Sequence, residues 1–340
     1  LRMSRGLGDV YKRQVQDLIM NYIVLDLEWN QAANKKNRYA KILPFEIIEI
    51  GAVKLNDGFQ IIDTFQEVIR PVVYPKIHHI SREVTGFTSA DLQQGGHFPE
   101  VLKRFLTWCS SSEYRFCTWG PLDLTELQRN MNYYKIPLFP SPLFFYDIQE
   151  VFSIINGANT NRRSLEYAVE FYEIEKKKDF HRALSDAYYT ALIMAAMGAE
   201  KILPNDTVDT YQQPAGPDDE IYMRYDTHSR YISRTFPSRH EVMENSEVLS
   251  TRCCICDRRL RKKLRWFSDN SKNYYCLALC KNHGYQSGKI HIKKNDKDRY
   301  YAIKELTMTD SEGAAALYEK RVDYTKKHRT KYRQKASAAK

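Results

Sequence analysis

The sequence predicts a mixed α/β sheet with helices on both faces, followed by a small cysteine-rich unit. Three observations carry this. Strand-like apolar runs come early: "YIVLDLEWN" (22–30), "FEIIEIGAVKL" (45–55) and "FQIIDTFQEVIRPV" (59–72). Strand-like and helical spacings then alternate as far as Gly198, and five of the seven cysteines crowd between residues 253 and 280. Antiparallel-looking strands followed by strand–helix alternation suit a mixed sheet.

Each element has a local reason. Asn56-Asp57-Gly58 is a hairpin turn signal between the second and third runs. "FTSADLQQGGHFPEVLKRFLTWC" (87–109) has helical spacing, with Pro99 near a helix start. "YRFCTWG" (114–120) is a short strand and "LDLTELQRNMNYY" (122–134) a helix. "LFFYDIQEVFSII" (143–155) reads as strand into helix, with Asp147 as the helix N-cap. "RSLEYAVEFY" (163–172) is helical, and "HRALSDAYYTALIMAAMG" (181–198) is a long helix stopping at Gly198. The α/β domain is therefore expected over 20–198. Residues 1–19 have no clear period and read as a leader outside the fold, non-native or disordered, with a natural start at Met20. Pro204, Pro214, Pro217 and Pro237 interrupt 199–250, which reads as a linker. Residues 251–310 form the cysteine-rich unit, and 311–340 a basic tail.

With 13% aromatic residues, including 24 tyrosines, the composition is that of a folded chain. The net charge of +10 favours polyanions such as nucleic acid, or else is a lysine-rich solvated surface. Clustered, odd-numbered cysteines suggest a metal site in a reducing compartment, hence a cytoplasmic protein. No apolar run approaches the ~18 residues of a membrane span.

The first strand ends in an unfavourable way. Asp26 and Glu28 are two apart, so they share a face about 7 Å apart along the chain. Asp123 opens a helix just beyond a short strand, and His181 and Asp186 lie at the start of the domain's last helix. In open α/β sheets such ends converge on one crevice. Four gathered carboxylates repel unless cations neutralise them. Hard divalent ions with oxygen ligands, Mg²⁺ or Mn²⁺, do so. A pair of them ~3.5–4 Å apart supports phosphodiester cleavage. His181 supplies a base that titrates near neutrality.

In order and spacing, Asp26-Leu27-Glu28, Asp123 and His181-x4-Asp186 resemble the DnaQ-like superfamily of 3′–5′ exonucleases, in its DEDDh branch. "EIIEIGAV" (46–53) and "ISREVTGFTSADL" (80–92) are similar to further stretches of that family, and "TWG" to its RNA-trimming and sporulation-inhibitor-like members. The resemblance covers 20–198 and implies an RNase H-like fold. It implies metal ligation by Asp26, Glu28, Asp123 and Asp186, with His181 as general base. It implies release of nucleoside 5′-monophosphates from the 3′ end of single-stranded RNA or DNA, RNA slightly preferred. Thr85 and Gly86 would lie along the terminal nucleotide. Trp29 stands where the family has a small hydroxylic residue; it either stacks on a base or packs in the core. A second reading is a catalytically inactive nucleic-acid-binding adaptor, which the intact acids argue against. A third is a proofreading exonuclease, for which no polymerase-docking segment is evident.

Cys253-x2-Cys256 and Cys280-x2-His283 form two tight turns 23 residues apart, a donor set for one tetrahedral Zn²⁺. Gly284 permits the sharp turn after His283 and favours this set over one using Cys276, read as a small packed hydrophobe. The unit resembles a zinc ribbon whose small core leaves folding to the metal. Arg258, Arg259, Arg261, Lys262, Lys263 and Arg265, beside Trp266 and Phe267, offer phosphate contacts and base stacking, or form a solvated face over aromatic core.

Overall fold

Alternation along the first strand builds two cores at once. In a computed structural model, which describes residues 20–34, 37–156, 162–268 and 272–338 (side chains to 326), strand β1 spans Met20–Gln31. Tyr22 and Val24 point into one apolar cluster, and Ile23, Leu25 and Leu27 into another. Both faces must then be covered, which is why helices lie on each. The chain divides into two units, ending and beginning at Tyr211 and Gln212.

In the first unit β1 pairs antiparallel with β2 (Phe45–Leu55), which pairs antiparallel with β3 (Ile61–Val68). The turn between β2 and β3 carries the expected signal: Asn56 Oδ1 accepts from the Gly58 and Gln60 N–H groups, and Phe59 takes φ +57°. Three helices follow: α1 (His79–Thr85), α2 (Ser89–Gln93) and α3 (Phe98–Cys109), the last with proline in its first turn. Strand β4 (Glu113–Thr118) runs parallel to β1, α4 (Leu122–Tyr133) follows, and β5 (Phe144–Asp147) runs parallel to β4. Then come α5 (Ile148–Ile155), α6 (Leu165–Phe171), α7 (Ala183–Met197) and α8 (Ala199–Ile202). Asp147 caps α5 through the Glu150 N–H at 3.0 Å and pairs with Arg162 at 2.7 Å. Strand β6 (Thr207–Val208) completes the order β3-β2-β1-β4-β5-β6. Helices α5, α6 and α7 pack on the Val24 face, and α3 and α4 on the Leu25 face.

The linker expected over 199–250 is not one. Thr207–Val208 pairs with β5, while β7 (Ile221–Arg224) and β8 (His228–Ile232) join the second sheet. Prolines 204 and 217 sit inside short 3₁₀ turns, so they punctuate structure instead of interrupting it. These strands are too short and polar to announce themselves.

The second unit is one antiparallel sheet, β7-β8-β12-β11-β10-β9. It adds helix α9 (Arg239–Glu244), strands β9 (Arg261–Ser268), β10 (Asn273–Cys280), β11 (Gly284–Lys294) and β12 (Tyr300–Met308), and helix α10 (Ser311–Ala338). The 251–310 segment is thus part of a larger domain. Its core includes Tyr231, Phe236, Val242 and Val248, all from the stretch expected to be linker. The leader, 1–19, lies outside the described residues. No described helix is long and apolar enough to cross a membrane.

Candidate active site and metal centre

Asp26 and Glu28 continue the Tyr22–Val24 face past the end of the apolar run, so β1 delivers two carboxylates where its core stops. A register shift between Glu28 and Trp29 breaks the ladder there. Asp186, in the first turn of α7, meets them. One oxygen from each of Asp26, Glu28 and Asp186 lies within 4.8 Å of the others.

Asp186 reaches this place because α7 comes very close to the sheet. Gly51 of β2 sits opposite Asp26, and a Cβ on it would lie 2.1 Å from the Ala183 carbonyl carbon and the Leu184 nitrogen. Only glycine admits that approach. The fully buried Glu49, cross-strand partner of Glu28, then ties down the helix start. It accepts from the Ala183 N–H at 3.1 Å, from Arg182 at 2.8 Å and from Gln66 at 2.8 Å. His181, exposed and at φ +66°, turns its backbone N–H onto both Asp186 carboxylate oxygens at 3.1 and 3.3 Å. One turn thereby holds the His181 backbone against the acid.

Asp123 stands at the edge of the trio. Its Oδ1 accepts from the Leu27 N–H at 3.2 Å, the residue between Asp26 and Glu28. Burial and mutual repulsion push every acid of this group upward. Asp26 is raised well above the usual carboxylate range by burial, then by Asp123 and Asp186. Burial and Asp186 push Glu28 to about 8, Asp123 is raised to about 7 chiefly by burial, and Asp186 to about 6, also chiefly by burial. Gathered and desolvated in this way, the carboxylates are destabilised as anions and would be relieved by protons or by a cation. All-carboxylate donors at this spacing fit a hard divalent ion.

The residues expected along the substrate divide. Trp29 is partly buried, with its ring 5.3 Å from that of Phe45, so packing takes at least part of the indole. Thr85 is buried, and its hydroxyl donates to the Ser81 carbonyl at 2.8 Å and accepts from the Phe87 N–H at 3.2 Å. Both bonds of that hydroxyl lie within its own turn. Gly86 ends α1 at φ +72°, with no atom within 4 Å of where a Cβ would be.

In the second unit, Cys253, Cys256, Cys280 and His283 converge with their ligand atoms within 4.8 Å. Cys253 Sγ lies 3.5 Å and Cys280 Sγ 3.6 Å from His283 Nδ1, and Cys256 and Cys280 sulfurs are 3.8 Å apart. Zn–S near 2.3 Å and Zn–N near 2.0–2.1 Å in a tetrahedron require ligand separations of about 3.8 and about 3.6 Å. The four atoms therefore fit one Zn²⁺. Burial raises the Cys253 thiol, but backbone N–H groups of Cys256 and Ile255 and the amide of the fully buried Gln286, 3.0 Å from Sγ, outweigh it and bring it to about 6. Arg224 holds the knuckle from outside by donating to the Cys254 carbonyl at 3.1 Å. Cys276 stays apart, buried in β10 opposite Gly288, where its sulfur fills the space a side chain would need.

Residues 23–194, about half of the chain, match the family model described as RNase T exonuclease. The chain belongs to the exonuclease family. Among curated proteins it is similar to 3′–5′ exoribonuclease 1 of Rattus norvegicus, 27% identical over 160 residues, 40% of this chain and 46% of that protein. It is also similar to the "probable 3′–5′ exonuclease KapD" of Bacillus subtilis (strain 168), 28% identical over 142 residues, 42% of this chain and 68% of that one. The chain spans about half the length of the exoribonucleases it matches. Among solved structures, the nuclease domain of 3′hExo, described as a DEDDh family member bound to rAMP, is 22% identical. It covers 53% of this chain and 90% of that one, with a TM-score of 0.45.

The exonuclease domain so defined contains Asp26, Glu28, Asp123, His181 and Asp186, and the match stops short of the cysteine–histidine centre. Sequence reasoning left Glu49 unassigned and did not find Arg182 or Gln286. The signal for Glu49 was present: a glutamate inside a strand of otherwise buried residues needs a buried partner.

Proposed function

We propose that this exonuclease removes nucleotides one at a time from the free 3′ end of single-stranded nucleic acid, RNA slightly preferred over DNA. The supporting observation is the convergence of Asp26, Glu28 and Asp186 oxygens within 4.8 Å, inside a domain of exonuclease family. Two Mg²⁺ or Mn²⁺ ions would be held by Asp26, Glu28, Asp186 and the adjacent Asp123; when bound, they polarise the phosphoryl group and acidify water. His181 takes the proton of the attacking water. The new bond joins that oxygen to phosphorus, and the bond to the penultimate 3′ oxygen breaks. That oxygen leaves as a hydroxyl after taking a proton from solvent, and a nucleoside 5′-monophosphate is released. The RNA preference is supported by the 27%-identical relative named as an exoribonuclease. Cys253, Cys256, Cys280 and His283 hold one structural Zn²⁺. The odd-numbered, clustered cysteines support a reducing, cytoplasmic setting.

Matched 5′-labelled single strands of RNA and DNA test this. Incubated with Mg²⁺ or Mn²⁺, they should shorten stepwise from the 3′ end with release of 5′-monophosphates, RNA faster. Internal cuts, or intact strands after incubation with metal-loaded protein, would overturn the reading.

A further inference from the structure

The net charge of the chain is unevenly placed. Residues 212–340 carry 28 Lys and Arg against 16 Asp and Glu, whereas residues 1–211 carry 24 against 26. The whole positive excess therefore lies in the second unit. Within it, β9 is an edge strand of the sheet. Two register breaks against β10 disturb its alternation, and Arg261, Lys262, Lys263 and Arg265 are all exposed. Arg258 and Arg259, exposed in the turn before it, extend the row. Among the described residues no carboxylate lies in ion-pair range of Arg258, Arg259, Arg261, Lys263 or Arg265. Charge on an edge strand also guards against sheet-to-sheet pairing.

The aromatic residues around the row are already engaged. Phe267 is 3% exposed, its ring 6.1 Å from both Tyr275 and Tyr324, with Arg321 of α10 5.2 Å above it. Lys320 covers Tyr275 at 3.6 Å. Trp266 donates to the Leu249 carbonyl at 3.0 Å, Tyr301 is buried, and Tyr300 lies under Arg239 and Lys294. Much of the aromatic surface expected to stack on bases is thus engaged in packing, whereas the cations of the row stay exposed.

We infer that the β9 edge, through Arg261, Lys263 and Arg265 with Arg258 and Arg259, binds the phosphate backbone of nucleic acid without reading its bases. The choice of nucleic acid among polyanions rests on the exonuclease reading. A charged row whose neighbouring rings are largely engaged in packing gives affinity that is steep in salt and indifferent to sequence. Lys262 is left out because it donates to the Leu249 carbonyl at 2.7 Å.

The test uses the full chain carrying Asp26→Asn, so that substrate survives, and fluorescein-labelled 30-nucleotide strands of poly-uridine, poly-adenosine and mixed sequence. Anisotropy is followed from 50 to 300 mM NaCl, with and without R261Q/K263Q/R265Q. Each phosphate contact contributes a slope of about −0.7 in log K against log salt for single strands. Losing three should flatten the slope by about 2 and weaken binding about 100-fold at 0.1 M salt. The three sequences should bind within about threefold of each other. An unchanged slope in the triple variant, a tenfold preference among sequences, or binding only to phosphatidylserine vesicles would each overturn the inference. Zinc content of the triple variant shows that it has folded. In the otherwise wild-type chain, the triple variant should hydrolyse the p-nitrophenyl ester of thymidine 5′-monophosphate at the unmodified rate. No hydrolysis of that ester by the unmodified chain, with the salt slope intact, would remove the exonuclease reading and leave this one standing.

Discussion

The carboxylate trio and the cysteine–histidine set are both ligand clusters within 4.8 Å, yet they stand in opposite relations to their folds. The acids sit on a domain with two large apolar clusters, at the rim where β1 leaves the core. They repel one another, and the fold supports that repulsion. Among the described residues, the sulfur centre packs in a small cluster of Leu260, Ala278 and its own cysteines. There the ligands are themselves the packing. The comparison teaches that one cluster is gathered against its own repulsion beside a core already complete, and the other is part of the packing around it.

Neutralising one ligand in each site should break this symmetry most visibly. Asp26→Asn is expected to lower 3′-end cleavage by at least about 10³-fold, the worth of ~4 kcal/mol of transition-state stabilisation. In magnesium- and manganese-free buffer its thermal midpoint should be equal or higher, because a like charge has gone. A variant that cleaves normally would end the metal-ligand assignment. Cys280→Ser should do the reverse: loss of the zinc measured by metal analysis, and cooperative unfolding of the second unit at lower temperature, with the first unit's transition in place. Cys276→Ala should keep one zinc per chain, at a cost of about 1–2 kcal/mol for the small cavity.

Acidity sharpens the contrast. Glu28 near 8, Asp123 near 7 and Asp186 near 6 all hold protons more tightly folded than unfolded. Their contribution to metal-free stability is therefore full below pH ~4 and is lost as pH rises through 6 to 8. Calorimetry in buffer free of Mg²⁺ and Mn²⁺ should show the first transition falling over that range. Added Mn²⁺ should raise it more at pH 8 than at pH 5, because ion and protons compete for the same oxygens. A midpoint that ignores pH would contradict the gathered acids. Gly51→Ala should cost about 3 kcal/mol, at the upper end for an overpacked site, as α7 is pushed off the sheet. Cleavage should fall further than the lost stability explains, since Asp186 moves with the helix.

Much of this was legible because it is local. The i, i+2 spacing of Asp26 and Glu28, the helix-opening positions of Asp123 and Asp186, and the two Cys/His turns follow from strand, helix and knuckle geometry within a few residues. The strands at 207–208, 221–224 and 228–232 were not legible. Their partners lie up to about 80 residues away, and short half-polar segments become strands only when a neighbouring edge is there to pair with. Which of the two readings of Trp266 and Phe267 applies was not legible either, since only the folded sheet and α10 show that Phe267 is buried and that Trp266 is bonded to the Leu249 carbonyl.

By itself the sequence determined which side chains can ligate, and that Asp26 and Glu28 must share a face, because backbone periodicity is a property of the chain alone. Tertiary structure decided that Asp186 joins them, that Asp123 is tethered to the Leu27 N–H, and that Glu49 and Arg182 hold the helix start. The physical reason is that these contacts depend on how closely a helix can approach a sheet, and Gly51 sets that distance only once the two are packed together.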